Sequence, residues 1–454
     1  MNWKLSVGSL ALCALLGLNA CSSDSSSSPE QPVSSSGGVS PDNPVGPSSS
    51  STSTVGNLAA AANPSIPVSL YGIWKGFHYT TQEEEAAKYP SLGADFGEIF
   101  KAYTDQGLYA ARIIWSTYQA ANCVIAEANG TNMYKRGCTV SEGIGYGMLI
   151  TLFAEDWDAF NRLWIYSTAY RNSQYAKGTG LMPWLTVSFS WDIVDDASAT
   201  DADLDIATSL VIAYYKTGNQ NYLNDALTLI NAIWTEEINP SNLLIYSGDT
   251  PMWKTADPVY NLSYFSPVAL RLFAMVDPGH DWTGVLNAGY AYMQKVQAAG
   301  TGVFPDWSNG AGVAVNPNNN SADKTYWSFN KESVRIPWRI AWDYYWFQDE
   351  RAASVLNTLN AFIAAKSGGD PSQIPAVNYS WNLSAGEDIA GLKLPTQWSA
   401  AWCATGIAGN AAWLESCTNL LNATEMATSS SSYFSNMLQM MYSQLLNGMY
   451  TKPF

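Results

Sequence analysis

Three short segments set carboxylates among glycine, aromatic and small apolar residues rather than on charged faces. The first is Thr139-Val-Ser-Glu-Gly-Ile-Gly-Tyr-Gly-Met-Leu149, where Glu142 precedes three glycines and an apolar run. The second is Ala199-Thr-Asp-Ala-Asp-Leu-Asp-Ile-Ala207, with Asp201, Asp203 and Asp205 alternating at a helix start. The third is Asn330-Lys-Glu-Ser-Val-Arg-Ile-Pro-Trp-Arg339, where Glu332 and Arg335 stand three apart and could pair on a helix. Two carboxyl groups in different environments can serve as acid and base, the pair that cleavage of a glycosidic bond requires. Glycines beside Glu142 would admit close approach of backbone or ligand. Ser141 is a candidate helix cap, as are Thr200 and Asp201. Each segment also has a plainer reading: first-turn acids that favour the helix dipole, or a structural ion pair. The second segment fails as a calcium loop, because the sixth position lacks Gly and the twelfth carries Ile212.

The elements that must position these groups read as helix after helix. Leu223, Ala226, Leu227, Ile230, Ile233 and Trp234 recur at spacings of three and four. So do Leu286, Tyr290 and Met293, and Phe434, Met437, Leu438, Met441 and Leu445. Clusters such as Gly218-Asn219 and Asn239-Pro240 separate the stripes. Strand-like alternation is scarce. Helical hairpins over the body fit a twelve-helix barrel, and the arithmetic alone equally admits an α-solenoid.

Composition narrows the chemistry. The chain has 454 residues, 47% of them hydrophobic, enough to fill a large core. With 22 Lys and Arg against 38 Asp and Glu, the formal charge is -16, which disfavours nucleic acid as a partner. Two histidines, His78 and His280, lie far apart, and no His/Cys spacing matches a zinc site, so no metal is expected. The excess is aromatic: 19 Trp, 26 Tyr and 14 Phe. Such rings stack on sugars or fill a core, and Trp74, Trp184 and Trp398 are candidate stacking platforms.

The N-terminus reads as an address. An apolar run over residues 5–18, too short to span a bilayer, leads to Leu18-Asn-Ala-Cys21. That tetrad resembles the lipobox of bacterial lipoproteins, which makes residues 1–20 a signal peptide and Cys21 the lipid-bearing residue. A Ser-rich stretch over 21–56 then reads as a linker with a reach of roughly 30 Å. The folded body is expected over 57–454. Without Cys13 and Cys21, four cysteines remain, and Cys123–Cys138 with Cys403–Cys417 is the simplest pairing.

The three carboxylate segments, together with Asn261-Leu-Ser-Tyr-Phe-Ser-Pro267, resemble glycoside hydrolase family 8. The resemblance spans about residues 70–450. It implies an all-α (α/α)6 barrel and an inverting endo-β-1,4-glycanase without cofactor. It further implies Glu142 as general acid, Asp201 as the carboxylate holding the sugar at the cleavage point, and Tyr264 as an active-site tyrosine. Arg335 follows the general base, and Asp203 joins the substrate-binding set. Two departures stand out. The family pattern ends in Phe or Trp where this chain has Thr217. The usual base is Asp where this chain has Glu332. Were Glu332 not the base, Asp192, Asp195 and Asp343 would be the weaker candidates. The substrates implied are cellulose-type or mixed-linkage β-glucan first, then xylan or chitosan. The chain is expected to act as a monomer, lipid-anchored to the bacterial cell envelope. The rival from another class is a non-catalytic glycan-binding surface lipoprotein.

Overall fold

The computed structural model describes residues 58–90, 92–93, 95–115, 124–126, 133–135, 137–317, 324–384, 387–390, 396–429 and 432–454. The expected signal peptide and linker, Cys13, Cys21 and Cys123 lie outside these residues.

Fourteen helices are present among them. They are α1 Ser65–His78, α2 Gln82–Lys88, α3 Lys101–Thr104, α4 Ser141–Phe153, α5 Trp157–Arg171, α6 Thr200–Thr217 and α7 Gln220–Glu237. Then come α8 Pro267–Val276, α9 Trp282–Ala299, α10 Ile336–Phe347, α11 Glu350–Ser367, α12 Thr396–Ala404, α13 Ala411–Asn422 and α14 Tyr433–Leu446. Helix α4 packs on α6, α6 on α8, α8 on α10, α10 on α12, α12 on α14, and α14 returns to α4. That closure makes a ring of six inner helices and excludes a solenoid. Each inner helix carries an outer partner: α5 on α4, α7 on α6, α9 on α8, α11 on α10, α13 on α12, and α1 on α14. The fold is an (α/α)6 barrel.

Five of the six outer helices start differently from the inner ones; α1, preceded by Pro64, has no side-chain cap. Outer helices α5, α7, α9, α11 and α13 are capped by Asp156, Asn219, Asp281, Asp349 and Asn410, whose side chains accept from first-turn N–H groups. Inner helices α4, α6, α8, α10 and α14 have no side-chain cap. This corrects the expectation for Ser141, Thr200 and Asp201. Ser141 and Thr200 are the first helical residues rather than caps. Among the described residues, Asp201 Oδ1 accepts only from the adjacent Ala202 N–H at 3.0 Å, and its Oδ2 turns elsewhere, as described below.

Aromatics fill much of the core. Trp282, Trp338, Trp342 and Trp402 are completely enclosed, and so is Trp74, whose indole N–H points at Met437 Sδ at 3.2 Å. Trp74 is therefore a core residue and not a sugar platform. A disulfide joins Cys403 of α12 to Cys417 of α13 across a Cα separation of 5.0 Å. Cys138 is also disulfide-bonded, and Cys123, its expected partner, lies outside the described residues.

Candidate active site

Close packing of the first turns of α4 and α6 begins the site. A Cβ on Gly145 would stand 2.9 Å from Asp205 Cβ and 3.1 Å from the Ala202 carbonyl oxygen. A Cβ on Gly147 would stand 2.8 Å from Ile113 Cγ1. Gly145 thus allows α4 and α6 to touch, bringing Glu142 and Asp201 to one place, while Gly147 makes room for Ile113 of the strand Ala111–Ile113. Behind them Arg339 of α10 pairs with Asp205 of α6 through both carboxylate oxygens, one at 2.9 Å. It also donates to the Ser263 carbonyl at 3.2 Å, so α6, α10 and the turn before α8 are tied together. A three-stranded antiparallel sheet of Cys138–Val140, Leu185–Val187 and Ile193–Asp195 feeds the chain into α4. The Ser141 N–H donates to the Trp184 carbonyl at 2.9 Å there.

One guanidinium organises the carboxylates. Arg335 is buried at the start of α10. Its Nη1 donates to Glu142 Oε2 at 2.9 Å, to Asp201 Oδ2 at 2.7 Å and to the Tyr146 hydroxyl at 3.1 Å. Its Nη2 donates to Glu332 Oε2. The Tyr264 ring lies 5.4 Å from the guanidinium carbon. Glu142 Oε1 accepts from the Tyr433 hydroxyl at 2.9 Å. Asn261 divides its amide between two tasks. Its Oδ1 accepts from the Ser263 N–H at 3.0 Å and caps the turn Leu262–Tyr264, while its Nδ2 donates to Glu332 Oε2 at 2.9 Å. Access separates the three acids: the Glu142 and Glu332 side chains are each 21% exposed, whereas Asp201 is 2% exposed. Glu142 and Glu332 are the more accessible pair, and Asp201 offers a ligand only a small part of its surface.

Burial sets the protonation. It pushes the Glu142 carboxyl up to about 7; Arg335 pulls against the rise, while Asp201 and Glu332 add to it. Burial also raises Asp201, against the pull of Arg335 and Arg339. Burial holds the Tyr146, Tyr264 and Tyr433 phenols well above their usual value, so all three remain O–H donors. A carboxyl that keeps its proton to near neutrality, beside a second accessible carboxyl group, fits acid–base chemistry.

The sequence profile of glycosyl hydrolases family 8 matches residues 116–448. The chain is 30% identical over 342 residues to endoglucanase 2 of Ruminiclostridium josui, an alignment covering 72% of this chain and 68% of that enzyme. The chain belongs to glycosyl hydrolases family 8. It is a glycoside hydrolase. It is also 24% identical over 256 residues to the reducing end xylose-releasing exo-oligoxylanase of Halalkalibacterium halodurans, covering 51% of this chain and 60% of that one. In structure it resembles the β-1,3-1,4-glucanase of Paenibacillus sp. X4, with a TM-score of 0.68 at 23% identity over 88% of this chain and 97% of that one.

Five of the family 8 residues expected from sequence meet in one cluster: Glu142, Asp201, Tyr264, Glu332 and Arg335. Asp203 stands apart from it. Its side chain is fully enclosed and accepts from the Met182 N–H at 3.0 Å, so it presents nothing to a ligand. The alternative bases are elsewhere too. Asp343 is held by Arg271 at 2.7 Å and by the Tyr290 hydroxyl at 2.6 Å, while Asp192 and Asp195 are exposed on the sheet hairpin. Trp184 is half-buried, and the Trp398 side chain lies outside the described residues. Sequence reasoning missed Tyr146, Asn261 and Tyr433. The first two lie inside quoted motifs, where a polar side chain among glycines or at a turn was the available signal. Tyr433 opens a helix whose apolar stripe concealed it.

Proposed function

We propose that this family 8 enzyme cleaves β-1,4-linked glucan internally with inversion of the anomeric centre. The observation that carries the reading is the single buried guanidinium shared by two accessible carboxyl groups, one of them protonated up to about pH 7. Glu142 gives its proton to the glycosidic oxygen. Glu332, aimed by Arg335 and Asn261, takes a proton from water attacking the opposite face of the sugar. Asp201 and Tyr264 hold the sugar at the cleavage point. The endoglucanase relatives of Ruminiclostridium, each 30% identical, support glucan over xylan. Reducing-sugar release should be highest on mixed-linkage β-glucan and carboxymethyl cellulose, with an early fall in viscosity. Preferred release from xylan or chitosan would replace the substrate. Release from none of these would refute the glucanase reading.

We further propose that the chain is exported and held at the bacterial envelope by lipid on Cys21, the Ser-rich linker standing between anchor and barrel. The short apolar run and Leu18-Asn-Ala-Cys21 support this. Cys21→Ser should move the protein from the membrane fraction to the soluble one, and unchanged fractionation would refute the anchor. The barrel would act as a monomer, which size-exclusion chromatography checks.

A further inference from the structure

Asp306 lies in Phe304-Pro-Asp-Trp307, a segment without a recognised motif, and its side chain is fully buried. Its Oδ1 accepts three hydrogen bonds: from the Glu332 N–H at 3.1 Å, the Ser333 N–H at 3.0 Å and the Ser333 hydroxyl at 2.9 Å. Ser333 Oγ accepts in turn from the Asn330 N–H at 2.8 Å, and the Asp306 N–H donates to the Tyr326 carbonyl at 3.1 Å. The other oxygen, Oδ2, is buried with no partner among the described residues. A carboxyl group enclosed in this way, with one oxygen unsatisfied and a second carboxyl group nearby, is an expensive choice for a turn. Burial lifts it to about 7, and the charge of Glu332 contributes to that rise, so the two groups sense each other.

We propose that Asp306 is a positioning residue for Glu332, fixing the backbone from which that side chain reaches the cleft. The proposal rests on Glu332 being the base. Glu has one more rotatable bond than the Asp usual at this place. Anchoring its backbone through Asp306 and its carboxylate through Arg335 and Asn261 removes that freedom. Misplacement of a reacting group by about 1 Å costs on the order of 10²-fold in rate.

The test is a cycle of variants on soluble β-glucan. Asp306→Ala should lower kcat by about 10- to 100-fold with KM held within about twofold. Asp306→Asn, which keeps an acceptor for the two backbone N–H groups, should recover most of that loss. In a Glu332→Gln background Asp306→Ala should cost almost nothing further, because it acts through a group already removed. An equal loss in both backgrounds, or an undiminished kcat in Asp306→Ala, overturns the proposal. Should Asp306→Ala fail to fold, Ser333→Ala enters the same cycle: a smaller kcat loss, absent in Glu332→Gln, is expected, and no loss overturns the proposal. Full activity of Glu332→Gln itself would instead overturn the base assignment beneath it.

Discussion

Removing one hydroxyl from Tyr433 should move the alkaline limb of the pH profile upward. The phenol donates to Glu142 Oε1 at 2.9 Å, and that bond favours the ionised carboxylate. A hydrogen bond to a charged group contributes about 1.5–3 kcal/mol, against about 0.5–1.5 for a neutral one. Tyr433→Phe therefore destabilises ionised Glu142 relative to its protonated form by on the order of 1 kcal/mol. At about 1.4 kcal/mol per pH unit, the shift is somewhat under one unit upward. The acid must be protonated to work, so activity is present below its pKa and lost as pH rises through about 7. Raising the pKa extends activity to higher pH. Phe retains the ring contacts with His78, an edge-to-face pair at 6.3 Å, so the barrel should be little disturbed. The assay is kcat/KM on soluble β-glucan from about pH 4 to about pH 10. The alkaline limb should rise while the acid limb, which belongs to groups Tyr433 does not touch, stays in place. An alkaline limb that falls or stays fixed, with kcat/KM still measurable, would refute Glu142 as the proton donor held by Tyr433.

Glu142→Gln should lower kcat by at least about 10²-fold while leaving substrate binding intact, and near-wild-type turnover would exclude the assignment. Proton NMR during hydrolysis of a β-linked oligosaccharide should show the α-anomer first; initial β-anomer would refute inversion. Asp203 is raised to about 8, with burial the main cause, far above the carboxyl range of an unfolded chain. Its contribution to stability is thus fully present below about pH 4 and is lost progressively as pH rises to about 8. Asp203→Asn should flatten the fall of Tm between those limits, and an identical slope in both proteins would refute this origin. Cys417→Ser opens the loop closed by the disulfide with Cys403, at a sequence separation of 14. A cost of about 3 kcal/mol, or a Tm lower by about 3–5 °C, is expected by calorimetry, and an unchanged Tm would show the crosslink to be idle.

What sequence could reveal followed the range of the interaction. Glu142, Asp201, Glu332 and Arg335 were legible because each sits in a short run with its own spacing. The helices were legible from their stripes, but their closure into a ring depends on α14 meeting α4, which no local pattern encodes. Tyr433 reaches Glu142 across 291 residues of sequence, and its helix start resembles any other apolar stripe. Asp306 was hidden for the same reason, its partners lying 26 and 27 residues away. Trp74 was misread because a tryptophan that fills a core and one that meets a sugar look alike in a list of residues.

The missed caps follow from the same architecture. Where an outer helix begins, an Asx side chain turns back onto the first N–H groups and stabilises the end locally. At the starts of α4 and α6, Glu142 and Asp201 turn instead toward a shared arginine that itself stands at the start of α10. Tyr433 opens α14, and Tyr264 lies just before α8. The described site residues thus come from the N-terminal ends of inner helices, where the positive end of each helix dipole favours carboxylate charge. Gathering three carboxyl groups there is costly, and one buried guanidinium with the starts of α4, α6 and α10 offsets it. The five capped outer helices, away from the site, supply stability without constraining which acids the inner ends present. A change such as Asp to Glu at 332 can then be absorbed by the turn that carries it, leaving the ring undisturbed.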